Sequence, residues 1–267
     1  MIRKYCEIDF LTVNSAIKKD IFQNVYLYID SKFYGFNNNN ISTYLLCDGN
    51  EIKTILYQYY NSLQLFIIKQ LTEQEILEIC KYIKENDIVM VTGKVDIVRQ
   101  MSIKLKEFTI TEGKIFTSDI ISKSNDEDVE LATIRDCKDI AKLICSDFNI
   151  GGHYEINTLQ TQLEERMKIW GCKNVIIKKQ NKIFAHMATY AECKEMSILG
   201  GLVTEENSRG LGYGRKVLNK LKNSVLSDKK TPILYCYEKK LQKWYMSLGW
   251  TVIAECGKIE KRSEIKC

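Results

Sequence analysis

The sequence predicts an α/β (α+β) chain of two units, each built on a mixed, mostly antiparallel central sheet flanked by helices. Three observations carry this prediction. A polar, acidic stretch, Ser122-Lys123-Ser124-Asn125-Asp126-Glu127-Asp128, separates two halves of similar length. From residue 41 the first half reads as three strands, a helix, a strand, a helix and a strand. From residue 174 the second half repeats that order. The chain is therefore either an internal duplication or two unrelated α+β domains whose elements coincide. The expected units are residues 1–122 and 129–267.

In the first half, β-branched and aromatic runs at 41–47, 52–59 and 63–68 are strands, with turn residues Asp48-Gly49-Asn50 and Asn61-Ser62 between them. Thr72 followed by Glu75 is a capping box, and Ile76, Ile79, Cys80 and Ile83 mark one face of the helix it opens. A strand at 88–91, a helix at 94–103 and an alternating segment at 108–116 follow. The second half begins with a strand at 129–133. Cys137, Ile140, Ala141 and Ile144 line one helix, and Leu159, Leu163 and Met167 line another that Asn157 can cap. Strands at 174–178, 182–191 and Met196–Thr204 precede a helix at 212–226. A strand at 232–237 leads into a helix at 238–248, whose Leu241, Trp244, Tyr245 and Leu248 share a face. Gly249 closes that helix, and strands at 251–255 and 258–261 finish the chain.

The composition excludes several classes. Of 267 residues, 45% are apolar and 27% charged, a globular balance that leaves no room for wholesale disorder. No apolar run approaches the roughly 20 residues that span a bilayer. Glu7 and Asp9 interrupt any apolar stretch behind Arg3-Lys4, so no secretion signal is expected. A net charge of +5 favours anionic ligands locally and does not by itself argue for nucleic acid. Ten cysteines without a Cys-x-x-Cys pair, beside only two histidines, give neither a zinc site nor a disulfide framework. Reduced thiols in a cytoplasmic protein without a metal are the expectation.

Chemistry concentrates in residues 200–218. An apolar strand leads through a polar loop to glycines at 210, 212 and 214, and an amphipathic helix then begins. Successive glycines let backbone N–H groups converge, and a helix start adds free N–H groups and a positive dipole end, which suits a phosphate or pyrophosphate. Arg215-Lys216 after Gly214 does not fit a Walker A loop, and the glycine spacing does not fit a dinucleotide fingerprint. A glycine-rich turn without a ligand is the alternative. Gly200-Gly201 in mid-strand marks a bulge or a close backbone approach.

Arg209-Gly210-Leu211-Gly212-Tyr213-Gly214 resembles the Q/R-x-x-G-x-G/A loop of the GNAT N-acetyltransferases, and residues 241–250 resemble that family's A-x-x-L-Y-x-K-x-G-F helix. The element order from residue 129 to 261 fits as well, so the resemblance covers about half the chain. It implies the GNAT acyl-CoA N-acyltransferase fold in the second half and acetyl-CoA as co-substrate, held by Leu202, Val203, Thr204, Arg209, Gly210, Leu211, Gly212, Tyr213, Gly214, Arg215 and Glu238. It also implies that the Leu202 N–H faces the acetyl carbonyl and that Tyr245 protonates the departing thiolate. Tyr245 on an apolar helix face is equally read as packing.

The sequence departs from the pattern at three places. Glu238 and Leu241 replace a commonly found asparagine and alanine, and Ile198 stands where some members carry a catalytic glutamate. The general base is therefore sought at the acceptor end, in Glu192 or Glu195, which as turn carboxylates could equally be solvated. His153 and Tyr154 are candidates for acceptor contact, His153 otherwise being a surface histidine, whereas His186 reads as a satisfied core residue. Arg215, Lys216, Lys220, Lys222, Lys229 and Lys230 form a basic stretch, of which one or two meet phosphates and the rest are solvated. The first half lacks the glycine loop, so if it is a duplicated unit it is a degenerate copy, and its expected role is structural or acceptor-binding. The expected reaction is acetyl transfer from acetyl-CoA to a primary amine on a small molecule or peptide, without membrane or nucleic acid. The alternative is a non-catalytic CoA sensor or partner-binding protein.

Overall fold

The capping box expected at Thr72 opens its helix in the computed structural model, which describes residues 1–38, 41–123, 126–148, 150 and 154–262. In chain order the first run is β1 (Ile2–Lys4), α1 (Phe10–Lys19), α2 (Val25–Tyr34), β2 (Asn37–Asn38), β3 (Ile41–Asp48), β4 (Glu51–Tyr59), β5 (Ser62–Ile67), α3 (Glu73–Glu85), β6 (Met90–Gly93), α4 (Val95–Lys104) and β7 (Phe108–Thr117). The second is β8 (Val129–Leu131), α5 (Cys137–Ser146), α6 (Ile156–Trp170), β9 (Asn174–Lys179), β10 (Lys182–Glu192), β11 (Met196–Thr204), α7 (Tyr213–Ser227), β12 (Thr231–Cys236), α8 (Lys239–Ser247) and β13 (Thr251–Lys261). Apart from the two-residue β2, both runs follow the order β-α-α-β-β-β-α-β-α-β. The repetition thus extends to α1 and α2, which the sequence reading, beginning at residue 41, had not placed. Buried Val13, Ile17, Leu27 and Ile29 are their apolar signal.

The chain divides into two compact units, but not at the expected positions. One is Thr117–Tyr235, and the other joins Met1–Phe116 to the segment from Cys236 onward. The cause is β13. It pairs antiparallel with β6, Gly257 opposite Gly93 and Ile259 opposite Val91, and lies between β6 and β7 in strand order. Gly257 permits the close approach to α4, because a Cβ there would stand 3.1 Å from Val98 Cβ. The boundary expected for residues 129–267 therefore fails beyond Tyr235: α8 and β13 belong to the first unit.

In the first unit the strand order is β1-β3-β4-β5-β6-β13-β7, with β2 on β3. The β1–β3, β3–β4, β4–β5 and β6–β13 pairs are antiparallel, and β5–β6 is parallel. Leu56, Leu65, Ile79, Ile83, Val98 and Ile259 sit in its core. In the second unit the order is β12-β11-β10-β9-β8, antiparallel except for the parallel β11–β12 pair. Ile140, Ile144, Leu159, Leu163, Ile176 and Val203 pack together there. The α6 start corrects one expectation. Glu155, not Asn157, is the cap, its carboxylate accepting from the Asn157 and Thr158 N–H groups at 3.3 and 2.9 Å.

Among the described residues no helix is long and apolar enough to cross a membrane.

Candidate functional site

In the second unit, the segment from β11 to α7 turns on two left-handed glycines. Gly210 and Gly212 have φ of +83° and +82°, a region that costs other L-residues roughly 1–2 kcal/mol. A Cβ at either would meet nothing within 4 Å, so conformation rather than crowding requires glycine there. Gly212 is the α7 N-cap and offers no side-chain acceptor. The first bond of the helix runs from the Lys216 N–H to the Gly212 carbonyl at 3.1 Å, so the amides of Tyr213, Gly214 and Arg215 precede it at the positive end of the dipole. Gly214 serves differently: a Cβ would stand 3.2 Å from Thr204 Oγ1 and 3.8 Å from Leu202 Cδ1. This close packing brings the helix start against the end of β11.

β11 is bulged where the paired glycines stand. Ala188 of β10 pairs with Gly200 and His186 with Val203, leaving Gly201 and Leu202 opposite a single residue. β12 pairs only as far as Leu199 opposite Leu234, so Leu202 has no register partner on either neighbouring strand. Gly201 has φ +63°, and a Cβ on it would overlap Tyr190 Oη, while one on Gly200 would lie 2.9 Å from that ring. The Arg166 guanidinium lies 4.8 Å from the centroid of the same ring, as a cation over Tyr190. His186, fully buried, has Nδ1 3.1 Å from the Gly201 carbonyl and Nε2 2.8 Å from the Asn174 amide. Burial pushes its pKa down to about 4, so the ring is neutral near pH 7.

The remaining expected residues fall as follows. Leu202 and Thr204 are half-buried, Leu211 and Arg215 are exposed, and Val203 points into the core. Arg209 turns away from the helix start: Nε donates to the Thr204 carbonyl at 3.3 Å and Nη2 pairs with Asp147 at 2.9 Å. Tyr213 Oη accepts from Lys179 Nζ at 2.7 Å. Glu192 does not stand free as a base, since its carboxylate accepts from Thr189 Oγ1 at 2.5 Å and pairs with Lys230 at 2.6 Å. It pairs with Ser197, five residues or roughly 16 Å of strand before Leu202. Glu195 is exposed in the same turn. Tyr154 is exposed ahead of α6, and its carbonyl accepts from Cys145 Sγ; His153 lies outside the described residues.

The basic stretch is mostly paired, which corrects its reading as a solvated face. Lys216 meets both Asp128 oxygens at 2.8 Å, Lys220 pairs with Asp126, and Lys222 is fully buried with Nζ 2.7 Å from Ser122 Oγ.

Glu238 and Tyr245 belong to the first unit. Glu238 is the α8 N-cap, without a side-chain cap bond. Tyr245 is buried among Phe116, Trp244 and Trp250 at centroid distances of 5.9, 5.0 and 6.1 Å. Burial, with the nearby Cys236 and Glu238, pushes its hydroxyl well above the usual phenol range. At the end of α8, Gly249 takes φ +82° as expected, and the Trp250 N–H returns to the Tyr245 carbonyl at 3.1 Å. The sequence reading missed His186 and Tyr190 as supports of the bulge. The signal for Tyr190 was a large aromatic facing two adjacent glycines on the neighbouring strand.

No protein-family model and no curated protein sequence matches the chain. Solved structures do. A GCN5-related N-acetyltransferase from Sphaerobacter thermophilus matches with a TM-score of 0.67 at 10% identity, over 100% of this chain and 97% of that one. An acetyltransferase of the GNAT family from Colwellia psychrerythraea gives 0.60 at 12%, over 98% and 100%. A tandem GNAT protein from the clavulanic acid biosynthesis pathway gives 0.58 at 10%, over 99% of both chains. At such identities the likeness is one of fold, and the fold of this chain is that of the GNAT acetyltransferases.

Proposed function

We propose that this chain transfers an acetyl group from acetyl-CoA to a primary amine of a small molecule or peptide, in the cytoplasm, by direct attack. One observation carries the reading: an uncapped, glycine-cornered helix start packs directly against a strand that bulges at Gly201 and Leu202, outside the register of its neighbours. The two features suit the two ends of one ligand. The amides of Tyr213, Gly214 and Arg215 suit its pyrophosphate, and the Leu202 N–H suits the thioester carbonyl. An acceptor amine with a lysine-like pKa of about 10.4 must lose one proton to solvent before attacking, and the second proton it sheds as the tetrahedral intermediate collapses restores the Tyr245 hydroxyl. As it attacks, Leu202 donates to the developing oxyanion, an interaction typically worth about 3–4 kcal/mol. Tyr245, kept protonated by its burial, supplies the proton for the departing thiolate. Glu238 lies at the head of the same helix, and the N-terminal residues 1–116 take a structural or acceptor-binding role.

Calorimetry with acetyl-CoA, followed by thiol release across a panel of primary amines, tests the reading. Tyr245→Phe should lower kcat roughly 100-fold with little change in acetyl-CoA affinity; equal rates would reduce Tyr245 to packing. A second reading, a non-catalytic CoA sensor, is favoured by Glu192 being held by Thr189 and Lys230. Acetyl-CoA binding without thiol release for any amine would select it.

A further inference from the structure

The bulge of β11 is held from beneath by a residue that the sequence marks only as core. His186 on β10 is fully buried, and its two ring nitrogens meet two different partners. The Gly201 carbonyl can only accept, so Nδ1 carries the proton and donates to it across 3.1 Å. In a neutral ring Nε2 is then an acceptor, and the Asn174 carboxamide, whose Oδ1 stands 2.8 Å away, offers the matching NH2 once its oxygen and nitrogen are exchanged. Asn174 is itself buried on β9, so the imidazole bridges β9 to the irregular part of β11.

The consequence follows from the geometry of a peptide unit. The Gly201 carbonyl and the Leu202 N–H belong to the same planar, trans peptide, in which C=O and N–H point in opposite directions. A group that fixes the direction of one fixes the other. Gly201 has φ +63° and is bracketed by the Tyr190 ring, so the orientation of this peptide is not set by a β ladder.

We propose that His186 is a positioning residue: by holding the Gly201 carbonyl it aims the Leu202 N–H outward, toward the carbonyl of a bound acyl thioester. The inference rests on the acetyl-CoA reading above. His186 touches no substrate, and it acts through one peptide bond.

Two substitutions separate this role from core filling. Asn at position 186 places an amide N–H near the site of Nδ1, and Gln places one near the site of Nε2. His186→Asn thus keeps the bond to Gly201, and His186→Gln keeps only the link to Asn174. Each full-length variant is first shown by calorimetry to bind [1-13C]acetyl-CoA within threefold of the wild-type affinity. Isotope-edited infrared spectroscopy then reads the thioester carbonyl stretch. The expected result is a shift to lower wavenumber in the wild type, retained in His186→Asn and lost in His186→Gln. Equal behaviour of the two variants overturns the role, as does a wild-type complex whose carbonyl stretch matches that of free acetyl-CoA. Absence of acetyl-CoA binding by the wild type would instead overturn the coenzyme reading, and this inference with it.

Discussion

Two helix starts occupy the same place in the repeated element order and meet opposite fates. At α3, Thr72 and Glu75 satisfy each other's backbone: the Thr72 N–H donates to Glu75 Oε2 at 2.6 Å, and the Glu75 N–H donates to Thr72 Oγ1 at 3.3 Å. Lys53 lies 3.3 Å from the same carboxylate. Burial opposes ionisation of Glu75, but the bonds from Thr72 and Lys53 prevail and hold it below the usual carboxylate range. At α7 no side chain caps the helix, and left-handed glycines occupy the corner. The preceding strands differ in the same sense. β5 leaves its parallel partner after Gln64, and Gln23 covers the stretch released: its amide donates to the Ile67 carbonyl at 3.0 Å and its oxygen accepts from the Ile67 N–H. Asn24 adds a 3.5 Å contact to the Leu65 carbonyl. β11 instead bulges where it leaves its parallel partner, and Leu202 falls outside both neighbouring registers. One architecture is closed by its own side chains in the first unit and lacks that side-chain cap at the matching helix of the second.

The largest expected effect is at the bulge. Gly201→Ala forces a left-handed alanine into Tyr190 and should cost about 3–4 kcal/mol by denaturant melts. Gly212→Glu should next weaken acetyl-CoA about 100-fold, or about 2.7 kcal/mol, by placing a carboxylate where the anion would sit, while the left-handed backbone at this position costs only about 1–2 kcal/mol of stability and leaves the chain folded. An unchanged affinity would remove the loop from the site. Gln23→Ala should cost about 2 kcal/mol of stability, since it strands both backbone groups of Ile67, while calorimetry still counts one acetyl-CoA per chain. A count of two would break the contrast between the units. The smallest effect is Thr72→Ala, about 1 kcal/mol of stability with acetyl-CoA binding unaffected.

Much of this was legible in local sequence. The Thr72–Glu75 box, the glycine corner at 210–214, the bulge at Gly200-Gly201 and the left-handed Gly249 are each decided by residues within a turn of one another, and the structure forms all four. What stayed hidden depends on distant partners. Gln23 acts as a surrogate strand edge only because Ile67 lies beside it, and nothing in its neighbours announces that role. The apparent solvation of the 215–230 basic stretch dissolved because Asp126, Asp128 and Ser122 come from the intervening segment. Glu192 looked available because Lys230 is 38 residues away in sequence. His186 was correctly read as buried and satisfied, but the identity of its carbonyl partner required the register of two strands.

The lodging of β13 beside β6 sets a timetable for the chain's birth. About 160 residues separate Gly93 from Thr251, which at ribosomal speeds of about 5–20 residues per second amounts to roughly 8–30 s. Until then β6 presents bare amides and carbonyls to the surrounding solution, so the part of the protein made first is completed last. A nascent chain halted near residue 235 should recruit chaperones or pair its exposed edge with a sibling.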